Sequence, residues 1–137
     1  MIAVDTNVLA RFYCDDPEDP EAGRQRPIAR RVMMQSSSVF VPLTVVLEFE
    51  WVMRGFYGLA RAEIGRVFAA LTGIAHVSIE DRANVIAALD LFGVGLDFAD
   101  ALHLSRSGRA TAFVTFDHRL AKRAAALAMQ PRVERLG

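Results

Sequence analysis

Short apolar runs alternate along this chain with longer stretches of helical period. Ile2–Val4, Val39–Val41, His76–Ile79 and Ala112–Thr115 are mostly apolar, bounded by turn or polar residues, and read as strands. Val133–Arg135 adds a weak edge strand. Between them, Ile28, Val32 and Met33 recur at helical spacing after Pro27, which is read as a first-turn proline. Ile64, Val67, Phe68 and Leu71 form a second stripe, and Val85, Ile86, Leu89 and Phe92 a third. Alternating strands and helices imply right-handed crossovers and a mostly parallel sheet covered by helices. Asp15-Asp16-Pro17-Glu18-Asp19-Pro20 is the clearest loop, its acids read as solvated. No repeat, low-complexity tract or linker interrupts the pattern, so residues 1–137 are expected to form one α/β domain.

Four acids break into the apolar segments. Asp5 ends Met1-Ile2-Ala3-Val4, Glu48 interrupts Val45-Val46-Leu47 and Phe49, Asp100 sits between Phe98-Ala99 and Ala101-Leu102, and Asp117 follows Phe113-Val114-Thr115-Phe116. Ionised carboxylates are costly in apolar surroundings unless their charge is compensated. If the fold gathers them, they call for hard divalent cations with oxygen ligands. In Thr44–Arg54, a helical turn of about 100° per residue puts Glu50 beside Arg54 and points Glu48 about 160° away from Glu50. Glu50 is therefore expected on the outer face in an exposed pair, and Glu48, near Val45, Trp51 and Val52, is the candidate ligand.

Gly93, Gly95 and Asp97-Phe98-Ala99-Asp100 read as a loop entering a helix, with Asp97 as cap and Asp100 near its third position. Asp97 is open to reading as cap, ligand or support. Asp5 and Asp117 each follow a strand; if the strands are parallel, both reach the carboxyl edge where α/β sheets bind ligands. Asp117 has the N-cap of Arg119–Leu127 as an alternative role. Thr6 and Thr115 are placed to orient carboxylates or to serve ordinary turns. His103 falls one turn after Asp100, to brace it or to pack beside Leu104. His76 starts a strand and His118 a helix. No HExxH or His-rich set is present, which excludes a catalytic zinc site of that type.

Composition narrows the classes further. Sixteen basic and sixteen acidic residues give a formal net charge of zero, against attachment to nucleic acid by bulk charge alone. Fifteen of the basic residues are Arg, a side chain whose planar fork suits phosphate, but the bias is read more readily as codon composition than as a phosphate site. The lone Cys14 excludes an internal disulfide framework and a cysteine-based zinc cluster. No run approaches the roughly 18 apolar residues of a membrane span, and the start lacks a positively charged leader, so a cytoplasmic protein without membrane contact is expected.

The motifs Ile2-Ala3-Val4-Asp5-Thr6-Asn7-Val8-Leu9, Val45-Val46-Leu47-Glu48-Phe49-Glu50-Trp51-Val52-Met53-Arg54, Asp97-Phe98-Ala99-Asp100-Ala101-Leu102-His103-Leu104 and Val114-Thr115-Phe116-Asp117 follow in order over nearly the whole chain. Together they resemble PIN-domain ribonucleases, particularly VapC-like toxins of bacterial toxin–antitoxin pairs. The resemblance implies a three-layer α/β/α sandwich with a mostly parallel central sheet. It also implies a Mg²⁺- or Mn²⁺-dependent endoribonuclease. The site would comprise Asp5, Glu48, Asp100 and Asp117, with Asp5 and Asp100 as primary metal ligands and Asp97 as a further acid. A homodimer and a cognate antitoxin are implied as partners, alongside the RNA substrate. Phe12, Tyr13, Trp51, Phe56 and Tyr57 supply aromatic area that an antitoxin helix can cover. The segment Asp15–Gln25 reads as a lengthened loop relative to the family. Two rival readings stand beside this one. A catalytically silent PIN scaffold would serve as a binding module. A haloacid-dehalogenase-like phosphatase would share the N-terminal strand and Asp5, but expects an aspartate where Asn7 stands.

Overall fold

Strands form at each of the short apolar runs, including the weak one near the C-terminus. The computed structural model describes residues 1–137 as two compact units, Met1–Arg82 and Ala83–Gly137.

In the first unit, β1 (Ile2–Ala3), β2 (Val39–Val41) and β3 (Val77–Ile79) form a parallel sheet in that order, with Ile2 opposite Val39 and Val39 opposite Val77. Successive side chains alternate faces, so Val39, Val41, Val77 and Ile79 point into the core while Ser78 faces out. The unit's helices are α1 (Thr6–Tyr13), α2 (Pro20–Gln35), α3 (Leu43–Gly55) and α4 (Arg61–Thr72). Their apolar stripes supply Leu9, Met33, Val46, Phe49, Phe68 and Leu71, all fully buried. The Phe49 ring meets Phe68 edge-on at 5.8 Å. Burying each such side chain contributes about 1.5–3 kcal/mol.

Helix α2 begins earlier than its apolar period indicates. Asp19 caps it, accepting from Glu21 N at 3.0 Å, and Pro20, rather than Pro27, occupies the first turn. Pro27 lies inside the helix, where it removes the bond owed to the Gly23 carbonyl; Gly23 faces solvent, which softens that loss. Arg11 ties the helix start down. It donates to Gln25 Oε1 at 2.8 Å and to Asp19 Oδ2 at 3.3 Å, and to the Tyr57 hydroxyl at 3.3 Å. The expected long loop is thus a short connection followed at once by helix.

The second unit holds most of α5 (Arg82–Gly93), then α6 (Phe98–Ser105), β4 (Ala112–Thr115), α7 (His118–Ala126) and β5 (Arg132–Arg135). Strands β4 and β5 pair in parallel, Ala112 opposite Arg132 and Thr115 opposite Arg135, joined through α7 as a parallel pair requires. Val85, Ala88, Phe92, Phe98 and Leu104 form the buried centre, with the Phe92 and Phe98 rings perpendicular at 5.9 Å. The class is α/β with parallel sheets, as the alternation of strands and helices implied. No helix is long and apolar enough to cross a membrane.

Candidate functional site

In the first unit the carboxyl edge of the parallel sheet collects acids. Asp5 follows β1 in extended conformation and caps α1, accepting from Val8 N at 3.2 Å. Helix α3 leaves β2 through Pro42, which offers no side-chain cap. Glu80, just past β3, fills that role by accepting from Leu43 N at 2.9 Å. Thr6, buried beside exposed Asp5, donates its hydroxyl to Glu48 Oε1. The residue next to Asp5 therefore holds Glu48 toward the start of α1. Glu80 was missed by sequence reasoning, although Ile79-Glu80 repeats the strand-end signature of Val4-Asp5.

The helical-face reading of α3 needs a correction. Glu50 and Arg54 do pair, Nε to Oε2 at 2.9 Å and Nη2 to Oε1 at 3.3 Å, but the Glu50 side chain is only 2% exposed. The buried face of α3 runs through Leu43, Val46, Phe49, Glu50 and Met53. Trp51, assigned with Val45 and Val52 to the inner side, is 60% exposed. The 160° separation placed Glu48 and Glu50 on opposite sides, but inside and outside were exchanged.

In the second unit Asp97 caps α6, accepting from Asp100 N at 3.1 Å, and Asp100 stands in that helix's first turn. Asp117 caps α7 by accepting from Leu120 N at 3.0 Å, while its own N–H donates to Thr115 Oγ1 at 2.9 Å. The Asp100 carboxyl is pushed above its ordinary pKa, first by burial and then by the charges of Asp97 and Asp117; nearby His103 partly offsets this. Asp97 and Asp117 both lie close enough to Asp100 for their charges to act on it. His103 is exposed, and its influence on Asp100 is one of charge. His118 is exposed at the start of α7, and His76 Nε2 lies 2.6 Å from the Met33 carbonyl oxygen.

The premise of acids held in apolar surroundings also needs revision. Asp5, Glu48 and Asp117 are exposed and Asp100 is half-buried. Val4, Val46, Phe49, Phe98, Ala101 and Leu102 beside them turn inward, Ile2, Val114 and Phe116 are exposed, and the acids fall at strand ends, helix starts or an outer helix face. The carboxylate that is deeply buried is Glu50. Cys14 is buried, and burial lifts its thiol to about 11 despite the opposing charge of Arg26, which removes it as a nucleophile near neutral pH.

A family model, the PIN domain, matches residues 2–126 and so spans all these acids. The chain belongs to the PIN-domain family. PIN domains have an α/β sandwich fold and are generally nucleases, which places this PIN domain among hydrolases in general. No curated protein matches the chain. Nuclease members of the family typically use divalent metals. Neither unit by itself gathers three His, Cys or acidic side chains into a ready metal cage. The donor chemistry nevertheless fits Mg²⁺, which needs only one or two direct carboxylates and keeps several waters.

Thr6 offers a test of how Glu48 is held. If Glu48 serves as a metal ligand, Thr6→Val is expected to reduce nuclease activity about 10–100-fold, the range for lost support of such a ligand. Thermal unfolding should register a change of only about 1 kcal/mol, the worth of one hydrogen bond. Thr6→Ser, which keeps the hydroxyl, should restore most of the activity; no recovery would mean that the hydroxyl does not act through Glu48.

Proposed function

We propose that this PIN domain is a metal-dependent endoribonuclease that hydrolyses RNA phosphodiester bonds and acts as the toxin of a toxin–antitoxin pair in the cytoplasm. The observation that carries the reading is the crowding at Asp100. Two further carboxylates press on a half-buried one, and no basic side chain forms an ion pair with any of the three. Negative charge maintained against repulsion is suited to a divalent cation.

Asp5 and Asp100 are the primary ligands in this proposal, and Glu48 and Asp117 complete the set directly or through water. Asp97, with one oxygen given to the α6 cap, acts on Asp100 by its charge. Bound Mg²⁺ or Mn²⁺ would supply an activated water and neutralise developing charge on the phosphate. Thr6 keeps Glu48 oriented throughout. In-line attack by water leaves a 5′-phosphate and a 3′-hydroxyl. The partners proposed are a second copy of the chain and an antitoxin. Trp51 and Phe56, 60% and 69% exposed, offer apolar area for a helix, and the acids would attract a cationic side chain that competes with the metal.

Purified protein should cleave RNA with Mg²⁺ or Mn²⁺, lose cleavage in EDTA and regain it on metal addition. Ca²⁺ should support RNA binding better than turnover, because its looser coordination positions a water less strictly. Undiminished cleavage in EDTA with cyclic-phosphate ends would overturn the metal mechanism. Normal growth on expression without any antitoxin would remove the toxin role and leave the nuclease role standing.

A further inference from the structure

Helix α7, which begins at Asp117, carries three basic residues in its first six positions: Arg119, Lys122 and Arg123. All three are exposed, and none forms an ion pair or a hydrogen bond. Arg119 and Arg123 are four residues apart and share a face, where like charges destabilise an isolated helix. Leu120 and Ala124 bury the neighbouring face and fix the rotation of the helix about its axis.

Arg123 has a defined seat. Gly95, in the loop before α6, has a φ of +112°, a conformation that glycine tolerates best. A Cβ at Gly95 would lie 3.5 Å from Arg123 Cζ and collide with its Nη1, so the guanidinium rests against bare backbone. The loop that seats Arg123 continues through Leu96 into Asp97, the cap of α6. No ion pair joins Arg123 to Asp97, Asp100 or Asp117. Its positive charge is therefore not spent on the carboxylates.

We infer that Arg123, held on Gly95 and assisted by Arg119, is a phosphate-binding site for the RNA backbone next to the Asp100–Asp117 acids. The inference rests on the endoribonuclease reading for its ligand. Acids that hold a metal at the phosphate to be cut repel the rest of the strand, and a neutral protein has no bulk charge to overcome this. Six residues of helix separate Asp117 from Arg123, about 9 Å along the axis. A strand with one phosphate at Asp117 and Asp100 thus meets a guanidinium as it continues along α7. Arginine's fork suits phosphate oxygens, so Lys is an incomplete substitute.

The test is fluorescence anisotropy with a labelled single-stranded RNA in Ca²⁺ across a salt series, alongside Mg²⁺- or Mn²⁺-dependent cleavage by the same preparations. Each phosphate contact contributes about 0.7 to the log–log salt slope for a single strand. Arg123→Ala is expected to lower the slope by about that amount, and the Arg119→Ala, Arg123→Ala double variant by about twice as much. The loss in cleavage should fall on KM, with kcat largely retained. Arg123→Lys should recover part of the affinity. Gly95→Ala, which displaces the guanidinium, should weaken binding in the wild-type background and add little to Arg123→Ala. Arg30→Ala, on exposed α2, should leave the slope within error of wild type. An unchanged slope in Arg123→Ala, or an equal loss in Arg30→Ala, overturns the inference while wild-type cleavage upholds the nuclease reading. Binding that depends on Arg123 without any cleavage upholds the phosphate site and rejects the nuclease. Wild-type protein that binds no RNA rejects both.

Discussion

Asp100→Asn is expected to abolish RNA cleavage while leaving the metal-free protein at least as stable as wild type near pH 7. Loss of residues that merely support metal ligands costs 10–100-fold, so loss of a direct ligand should cost at least about 100-fold. The stability side follows from the raised carboxyl pKa, caused by burial and by Asp97 and Asp117. An acid with a higher pKa folded than unfolded binds more protons in the native state, so stability falls as pH rises through the interval between the two. Below the unfolded value the carboxyl is neutral in both states and the penalty is absent. Above the folded value it is complete, and the neutral amide avoids it. In EDTA, the Tm of Asp100→Asn should match or exceed wild type around pH 7, and any advantage should shrink as pH falls into the ordinary aspartate range. A markedly lower Tm near neutrality would mean that Asp100 serves the fold rather than a cation.

Arg54→Ala is expected to have the largest effect on stability of any surface change considered for this protein. It strips the partner from Glu50, whose side chain is 2% exposed, whereas Arg54 itself is 49% exposed. Removing one member of a buried pair costs about 3–5 kcal/mol. The half-exposed guanidinium and the water admitted by its truncation reduce this to about 2–3 kcal/mol. At this chain length that corresponds to a Tm lower by roughly 6–12 °C. Glu50→Gln keeps the volume and one acceptor, so its expected cost is about 1–2 kcal/mol. Glu48→Gln should lower activity with little change in Tm. The sequence reading, with Glu50 on an outer face, makes Glu50→Gln nearly silent; calorimetry on the three variants separates the alternatives. Equal Tm values for Arg54→Ala and wild type would reject the buried-pair argument.

The split between what was legible and what was not follows the range of the interactions involved. Val39–Val41 and Ala112–Thr115 form strands with the expected bounds because apolar runs flanked by polar residues are local signals. Asp97 as a cap and Asp100 in the next turn were equally local, as was the Glu50–Arg54 pair. Which side of α3 faces inward depends on Phe68 and Tyr13 packing against Phe49, contacts distant in sequence. The start of α2 was obscured because Pro20 and Pro27 both suit a first turn, and the deciding tie comes from Arg11 on another helix. For the acids, motif order pointed to the positions, and Thr6 was open to orienting a carboxylate or serving an ordinary turn, but its bond to Glu48, 42 residues away, was not legible. Nor was the cap that Glu80 places on α3, since it joins residues 37 apart in the chain.

Asp5, Asp97 and Asp117 each begin a helix and hold its first amides with a carboxylate oxygen. Asparagine caps a helix about as well as aspartate, because capping uses an oxygen acceptor and does not require a full charge. Exchanging one oxygen for an amide nitrogen at these positions would therefore spare the helix starts while discarding the anionic donors. In evolutionary terms, the architecture is nearly indifferent to whether the charge proposed for catalysis survives. Descendants of such a chain can lose the proposed RNA cleavage and keep a binding surface through a few neutralising substitutions, with little selection from folding to oppose them.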